Sequence, residues 1–188
     1  MMKKLILGIT ALSALLSGCE SMSPSECAAA DWRGRGVEDG RQGRADSAAD
    51  YHDSCSKAGV QMDLASYRAG RAQGLQSYCR PDNAIKEGLA GRSYNNVCPP
   101  SLDQNFRTFY GAAYREQEAR KTLSRLQNEQ KQSEQELLDA KTAPSRKTIL
   151  RDQLARSDRR MVEARDDLRD AQYRLERLRS ELRPPGPN

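Results

Sequence analysis

The sequence predicts an all-α protein: a small disulfide-stapled domain of short helices followed by a long antiparallel coiled-coil helical hairpin. Three observations carry that expectation. From Leu102 onward, apolar and small residues recur in steps of three and four. Pro144 interrupts the repeat once, where a proline removes a backbone donor and turns the preceding residue away from helical geometry. Four cysteines precede the repeat in a chain poor in core residues, with Leu, Ile, Val and Phe supplying only 29 of 188 residues. That is about 15%, where an ordinary globular domain has more than roughly 20%, so a large buried enzyme core is not expected. Charged residues make up 30% and the net charge is +5; the charges balance rather than forming the single-sign excess of a disordered tail.

In chain order, Met1-Met2-Lys3-Lys4 gives a positive start, and Leu5 to Leu16 is a mostly apolar run of 12 residues, short of the ~20 that a spanning helix needs. Residues 1–18 therefore read as a cleaved secretion signal. The run ends in Leu16-Ser17-Gly18-Cys19, which resembles the lipobox of bacterial lipoproteins. That resemblance implies a diacylglyceryl group on the Cys19 thiol, cleavage before it, and three acyl chains on the new first residue. With ~0.8 kcal/mol per buried methylene, and two lipid signals sufficient for stable attachment, such an anchor is effectively permanent. Inner-membrane lipoproteins of Gram-negative bacteria tend to carry Asp after the modified cysteine; Glu20 here implies the outer membrane, facing the periplasm. Residues 19–26 are expected to form a lipidated tether, seven residues beyond Cys19 reaching at most about 23 Å.

Residues 27–101 are expected to form the stapled domain. Export places the chain where thiols persist as disulfides, and with Cys19 acylated an even number remains: Cys27, Cys55, Cys79 and Cys98. Four cysteines allow three connectivities, which sequence does not decide. The expected pairing is Cys27–Cys55 and Cys79–Cys98, each closing a short loop around one helix-turn-helix step and contributing ~3 kcal/mol. A metal site or redox dithiol is not expected, since no C-x-x-C occurs.

Glycines recur at helical spacing beside tyrosines, as in Gly36-Val-Glu-Asp-Gly40-Arg-Gln-Gly43, Tyr67-Arg-Ala-Gly70-Arg-Ala-Gln-Gly74 and Gly88-Leu-Ala-Gly91. Gly at i and i+4 bares one helix face, so a neighbouring backbone or ring can approach; the competing reading is a series of turns. Asp63, and Asp82 or Asn83, are the expected N-caps of short helices. In combination, Asp31-Trp32, Asp39-Gly40-x-x-Gly43, Tyr51-x-x-x-Cys55, Tyr67-x-x-Gly70-Arg71-x-x-Gly74-Leu75-x-x-Tyr78-Cys79 and Tyr94-x-x-Val97-Cys98-Pro99 resemble the envelope lipoproteins catalogued as domain of unknown function 2799, over roughly residues 27 to 142. The family has no established activity, and the resemblance implies a lipidated, disulfide-bearing envelope protein with nothing catalytic.

Residues 102–183 are expected to form the hairpin. One seam runs Leu102, Asn105, Phe109, Ala112, Glu116, Ala119, Leu123, Leu126, Gln130, Ser133, Leu137 and Ala140; the other runs from Leu150 through Leu154, Ser157, Met161, Ala164, Leu168, Ala171, Leu175 and Leu178 to Leu182. A reversal at Ala143-Pro144 sets Leu137 against Leu150, Gln130 against Ser157, Leu126 against Met161 and Phe109 against Leu178. Each arm, of about 38 residues, spans ~57 Å. From Arg115 to Arg183 there are 18 positive and 14 negative side chains, interspersed as on a solvated face. Residues 184–188, rich in proline, are expected to fray as a disordered tail.

Candidate chemistry is sparse. His52, the single histidine, lies three residues before Cys55 and beside Asp50 and Asp53, but a nucleophile needs a free thiolate. No catalytic residue, metal site or cofactor is expected. Trp32 with Arg33, Arg35, Arg41 and Arg44 forms a local basic cluster; outside the inner membrane its anions would be lipid headgroups, lipopolysaccharide phosphates or peptidoglycan carboxylates, not nucleic acid. The expected role is that of a non-enzymatic structural or interaction protein of the envelope, meeting an envelope partner or a second copy through the coiled coil. The alternative is a binding module for anionic envelope polymers, and a periplasmic hydrolase at His52 ranks last.

Overall fold

The computed structural model describes residues 22–183, of which 78% are helical with no strand. The helices are α1 (Pro24–Ala28), α2 (Trp32–Arg41), α3 (Ala48–Lys57), α4 (Leu64–Tyr78), α5 (Pro81–Leu89), α6 (Pro100–Leu138) and α7 (Pro144–Glu181). They form two compact units that interleave along the chain: residues 22–30 with 47–62, and residues 31–46 with 63–183. The expected boundary between 101 and 102 falls inside the second unit. The expected signal sequence, the lipid attachment at Cys19 and the tail at 184–188 lie outside the described residues.

In the first unit, Ser23 caps α1 by a capping box: Glu26 Oε2 accepts from the Ser23 N–H at 2.8 Å, and Ser23 Oγ accepts from the Glu26 N–H. Five residues do not sustain a helix alone. A disulfide between Cys27 and Cys55 ties α1 to α3 with 5.4 Å between the Cα atoms; both cysteines are buried, as are Met22, Tyr51 and Met62. The tether expected over 19–26 is thereby corrected. Residues 22–26 are folded, because the burial of Met22 and the cap at Ser23 begin the domain earlier than the polar composition suggests.

The second unit is organised by the glycines. Of the ten residues of α2, only Trp32 and Val37 are large and apolar, too little to hold a helix by side-chain burial. Instead the α2 backbone lies directly on that of α4. A Cβ on Gly36 would stand 2.1 Å from the Tyr67 carbonyl oxygen, on Gly40 2.4 Å from that of Arg71, on Gly70 2.0 Å from that of Arg33 and on Gly74 2.2 Å from that of Val37. As α2 advances from 36 to 40 its neighbour advances from 67 to 71, so the two helices run parallel. Asp31 and Asp63 cap their N-termini, accepting from Gly34 and Ser66 N–H groups at 2.9 Å each. Gly36, Gly40, Gly70, Gly74 and Gly88 are thus helical, whereas Gly43 and Gly91, at φ +62° and +66°, are turns as the competing reading has it.

Cys79–Cys98 is the second disulfide, so both bonds join the expected partners. α5 begins earlier than expected: Pro81 occupies its first turn and Arg80 is the N-cap. Asp82 is inside the helix and pairs with Arg80, while Asn83 donates to the Tyr78 carbonyl at 2.8 Å; a proline at N1 outranks a later polar cap. α5 lies close on α6, where a Cβ on Gly88 would meet the Tyr110 oxygen at 2.6 Å. The core gathers Tyr78, Cys79, Ile85, Cys98, Phe106, Phe109, Ala113 and, from α7, Leu175.

α6 and α7 form the antiparallel hairpin. Leu126, Met161 and Ala164 make a second cluster with Leu123 against it. Gln130 Nε2 donates to Asp158 Oδ1 at 2.9 Å, next to the expected Ser157, and Arg146 pairs with Glu136 at 2.7 Å across the turn. Glu116, on the seam and buried, pairs with Arg120. At its base α6 buries Phe106 and Ala113 rather than Asn105 and Ala112, because there it packs against α5 as well as α7.

Alanine substitution separates contact from propensity. Gly36→Ala or Gly70→Ala, each driving a methyl into a backbone carbonyl, should cost ~1–3 kcal/mol or more. Gly111→Ala, within α6 and with nothing in reach of the new methyl, should gain ~0.5–1 kcal/mol. Urea unfolding of the oxidised protein measures both; equal effects at the two kinds of site would refute the close crossing.

Candidate functional site

The glycine contact places a polar network in the interior. Asp39, on the inner face of α2, is fully buried; its Oδ2 accepts from Tyr67 OH and its Oδ1 from Arg44 Nη1, each at 3.1 Å. Arg71, only 7% exposed, donates through Nη2 to the Arg44 carbonyl at 2.6 Å, while its Nη1 has no hydrogen-bond partner. Gly43, at φ +62°, turns the chain after α2 against the face of Tyr78, and Asn95 donates to its carbonyl at 2.9 Å. A buried carboxylate persists only when paired and hydrogen-bonded. Burial, then the Asp39 charge, pushes Tyr67 up to about 12. At neutral pH Tyr67 is thus a hydrogen-bond donor, not a base or nucleophile, and the network fixes how α2, its turn and α4 fit together.

This geometry disperses the basic cluster. Trp32 is buried at 8% exposure and offers no open ring face for stacking. Arg44 turns to Asp39, and Arg33 donates to Gln73 at 3.2 Å, beside the Gly70 contact. Arg35 is half-buried; Arg33 and Arg41 are exposed. His52 is 62% exposed, 3.4 Å from Asp53, and its neighbour Cys55 is in the disulfide and offers no thiolate. Among the described residues no group of three or more metal-ligating His, Cys, Asp or Glu side chains converges.

One feature was not legible in the sequence. Ser93, Tyr94, Asn96, Arg107, Tyr110 and Tyr114 line an open groove of about 500 Å³. Arg107 lies 5.2 Å from the centre of the Tyr94 ring and is bonded to Asp103 and to Asn96. Tyr94 donates to Asp103 and accepts from the Cys98 N–H at 3.0 Å, and Tyr110 donates to the Arg92 carbonyl at 3.0 Å. The hydroxyls of Tyr94 and Tyr110 are therefore engaged within the fold. Burial, then the bond to Asp103, pushes Tyr94 up to about 12; Asp103 is held below the usual carboxylate range by Tyr94 and Arg107. The i, i+4 spacing of Tyr110 and Tyr114 was the available signal, but Tyr94 and Asn96 arrive from a loop that periodicity does not describe.

These features define a class: all-helical, held by two disulfides, with the last two helices paired as a hairpin. Residues 31–115 match the family described as Protein of unknown function (DUF2799), the family its motifs resemble. The match is narrower than the 27 to 142 that the motifs suggest; it contains the α2–α4 contact and the tyrosine groove but neither Cys27 nor the far hairpin. No curated protein and no solved structure matches the chain.

Tyr67, Tyr78 and Tyr94 all stand at about 12 in the fold, burial being the largest cause in each, against about 10 in an unfolded chain. The folded state holds these protons longer, so their stabilisation is intact below about pH 10 and is lost as pH rises toward about pH 12. Urea midpoints should fall across that window, and Tyr67→Phe should reduce the slope by about one proton. A flat profile would contradict the burial of these hydroxyls.

Proposed function

We propose that the chain is a lipid-anchored outer-membrane lipoprotein facing the periplasm, and that it is a non-enzymatic structural or interaction protein of the envelope. The observation that carries this reading is the pairing of a disulfide-held base with a hairpin whose helices run 39 and 38 residues, ~57 Å at 1.5 Å per residue. Two disulfides support residence in an oxidising compartment. No helix among the described residues is long and apolar enough to cross a membrane, and the lipobox at Cys19 supplies the attachment. The hairpin is the reach of the molecule: its distal seam buries Leu126, Leu150 and Met161, and its surface is laced with ion pairs such as Arg125–Glu129 and Arg169–Asp166, a surface suited to meeting another envelope protein or a second hairpin. The alternative, an anionic-polymer module centred on Trp32, is disfavoured by the burial of that ring and the diversion of Arg44 to Asp39.

Truncation at residue 115 is a poor test, because it would strip Leu175 and Leu178 from the core of the base. The register of the arms gives a better one: excising 119–168 and closing with a short Gly/Ser turn keeps both leucines. In intact cells, crosslinking should capture a discrete partner with the native chain and lose it with the shortened hairpin, while both stay in the membrane fraction. Cys19→Ser should release the protein from that fraction. Capture that survives excision but fails with Arg33→Gln and Arg41→Gln would favour the polymer-binding alternative.

A further inference from the structure

The distance between anchor and fold is set by covalent geometry. Only Glu20 and Ser21 separate Cys19 from Met22. Met22 is 2% exposed, Ser23 closes the capping box, and Cys27 is bonded to Cys55 on α3. Three Cα–Cα steps of 3.80 Å cover at most about 11 Å, little more than the ~5–7 Å of one headgroup layer. Resting on the lipid-anchored reading above, we infer that the first unit is seated on the phospholipid headgroup layer, and that the Cys27–Cys55 bond is the strut that sets this spacing.

The strut follows from the weakness of α1. Its five residues do not persist as a helix without the bond to α3. With that bond absent, the next fixed point is Asp31, which caps α2. Eleven residues, Glu20 to Ala30, then separate it from Cys19, enough to stretch ~40 Å. Charge does not do the seating: the exposed residues of α1 include Pro24, Ser25 and Glu26, and none of its residues is a cation. The contact is imposed by the short link, so salt does not release it.

Neutron reflectometry on supported bilayers of phosphatidylethanolamine and phosphatidylglycerol tests this with the full acylated chain, by measuring the water gap between headgroups and protein. The native gap should be no wider than about 11 Å and the same at low and at high salt. A flexible Gly/Ser insert of about twelve residues between Ser21 and Met22 should widen it by roughly 19 Å. Cys27→Ser with Cys55→Ser, which frees a linker of similar length, should widen it to roughly 19 Å. A native gap as wide as that of the insert overturns the seating, and an unchanged gap in the double-serine variant overturns the strut. Mass spectrometry of the amino terminus beforehand separates the two levels: an unacylated Cys19 overturns the anchoring reading itself, and the seating with it.

Discussion

The fold of the larger unit turns on one contact, the bare backbone of α2 laid along that of α4. Four glycines make it, and at each a single added carbon would fall within 2.4 Å of a carbonyl oxygen. Helical glycine is costly, about 1 kcal/mol each against alanine, and α2 has little apolar surface of its own to offset that. Close approach supplies the compensation in two ways. It multiplies dispersion contacts along the crossing, and it brings Asp39 within reach of Tyr67 and the turn bearing Arg44 within reach of Arg71. Moving the helices apart by one methyl would strand a buried carboxylate as well as open a gap.

From that contact the structure can be followed outward. Gly43 ends α2 against the ring of Tyr78, which stacks on Phe106 at 5.2 Å. Phe106 opens the long α6, and Cys79 beside Tyr78 is bonded to Cys98 just before it. The return helix closes the same core with Leu175. The hairpin is thus rooted in the base at both ends, and its register is fixed at the root as well as along the seam. That suits a thin-cored chain, in which disulfides and backbone contact do much of what bulk burial does elsewhere.

Much of this was legible. The heptads gave both arms and the reversal at Pro144, because a coiled-coil seam is a local, periodic signal. The disulfide partners are the expected ones, although sequence left three connectivities open and the Cys27–Cys55 loop encloses α2, which packs on α4. Gly36, Gly40, Gly70 and Gly74 announced a bare face, yet sequence did not say which helix would meet it. The rest depended on contacts between distant segments. Trp32 reads as an exposed neighbour of arginines and is buried; Asp39 reads as one acid among many and is the buried partner of Tyr67. Phe106 and Ala113 lie off the heptad seam because α5 gives α6 a second buried face. Met22 looked like part of a polar tether, since one methionine among serines carries no periodic signal.

In the proposed function a lipid anchor, a base built on backbone contact and an arm for meeting partners act together. Its physical centre is the α2–α4 crossing, which nuclear Overhauser spectroscopy of the oxidised, unacylated chain observes without any substitution. A Cβ built on Gly40 falls 3.0 Å from the Gly74 Cα, so the account predicts strong cross-peaks between the α-protons of Gly40 and Gly74. Cross-peaks absent there, with the α2 glycines instead showing only contacts to their own helix, would contradict it.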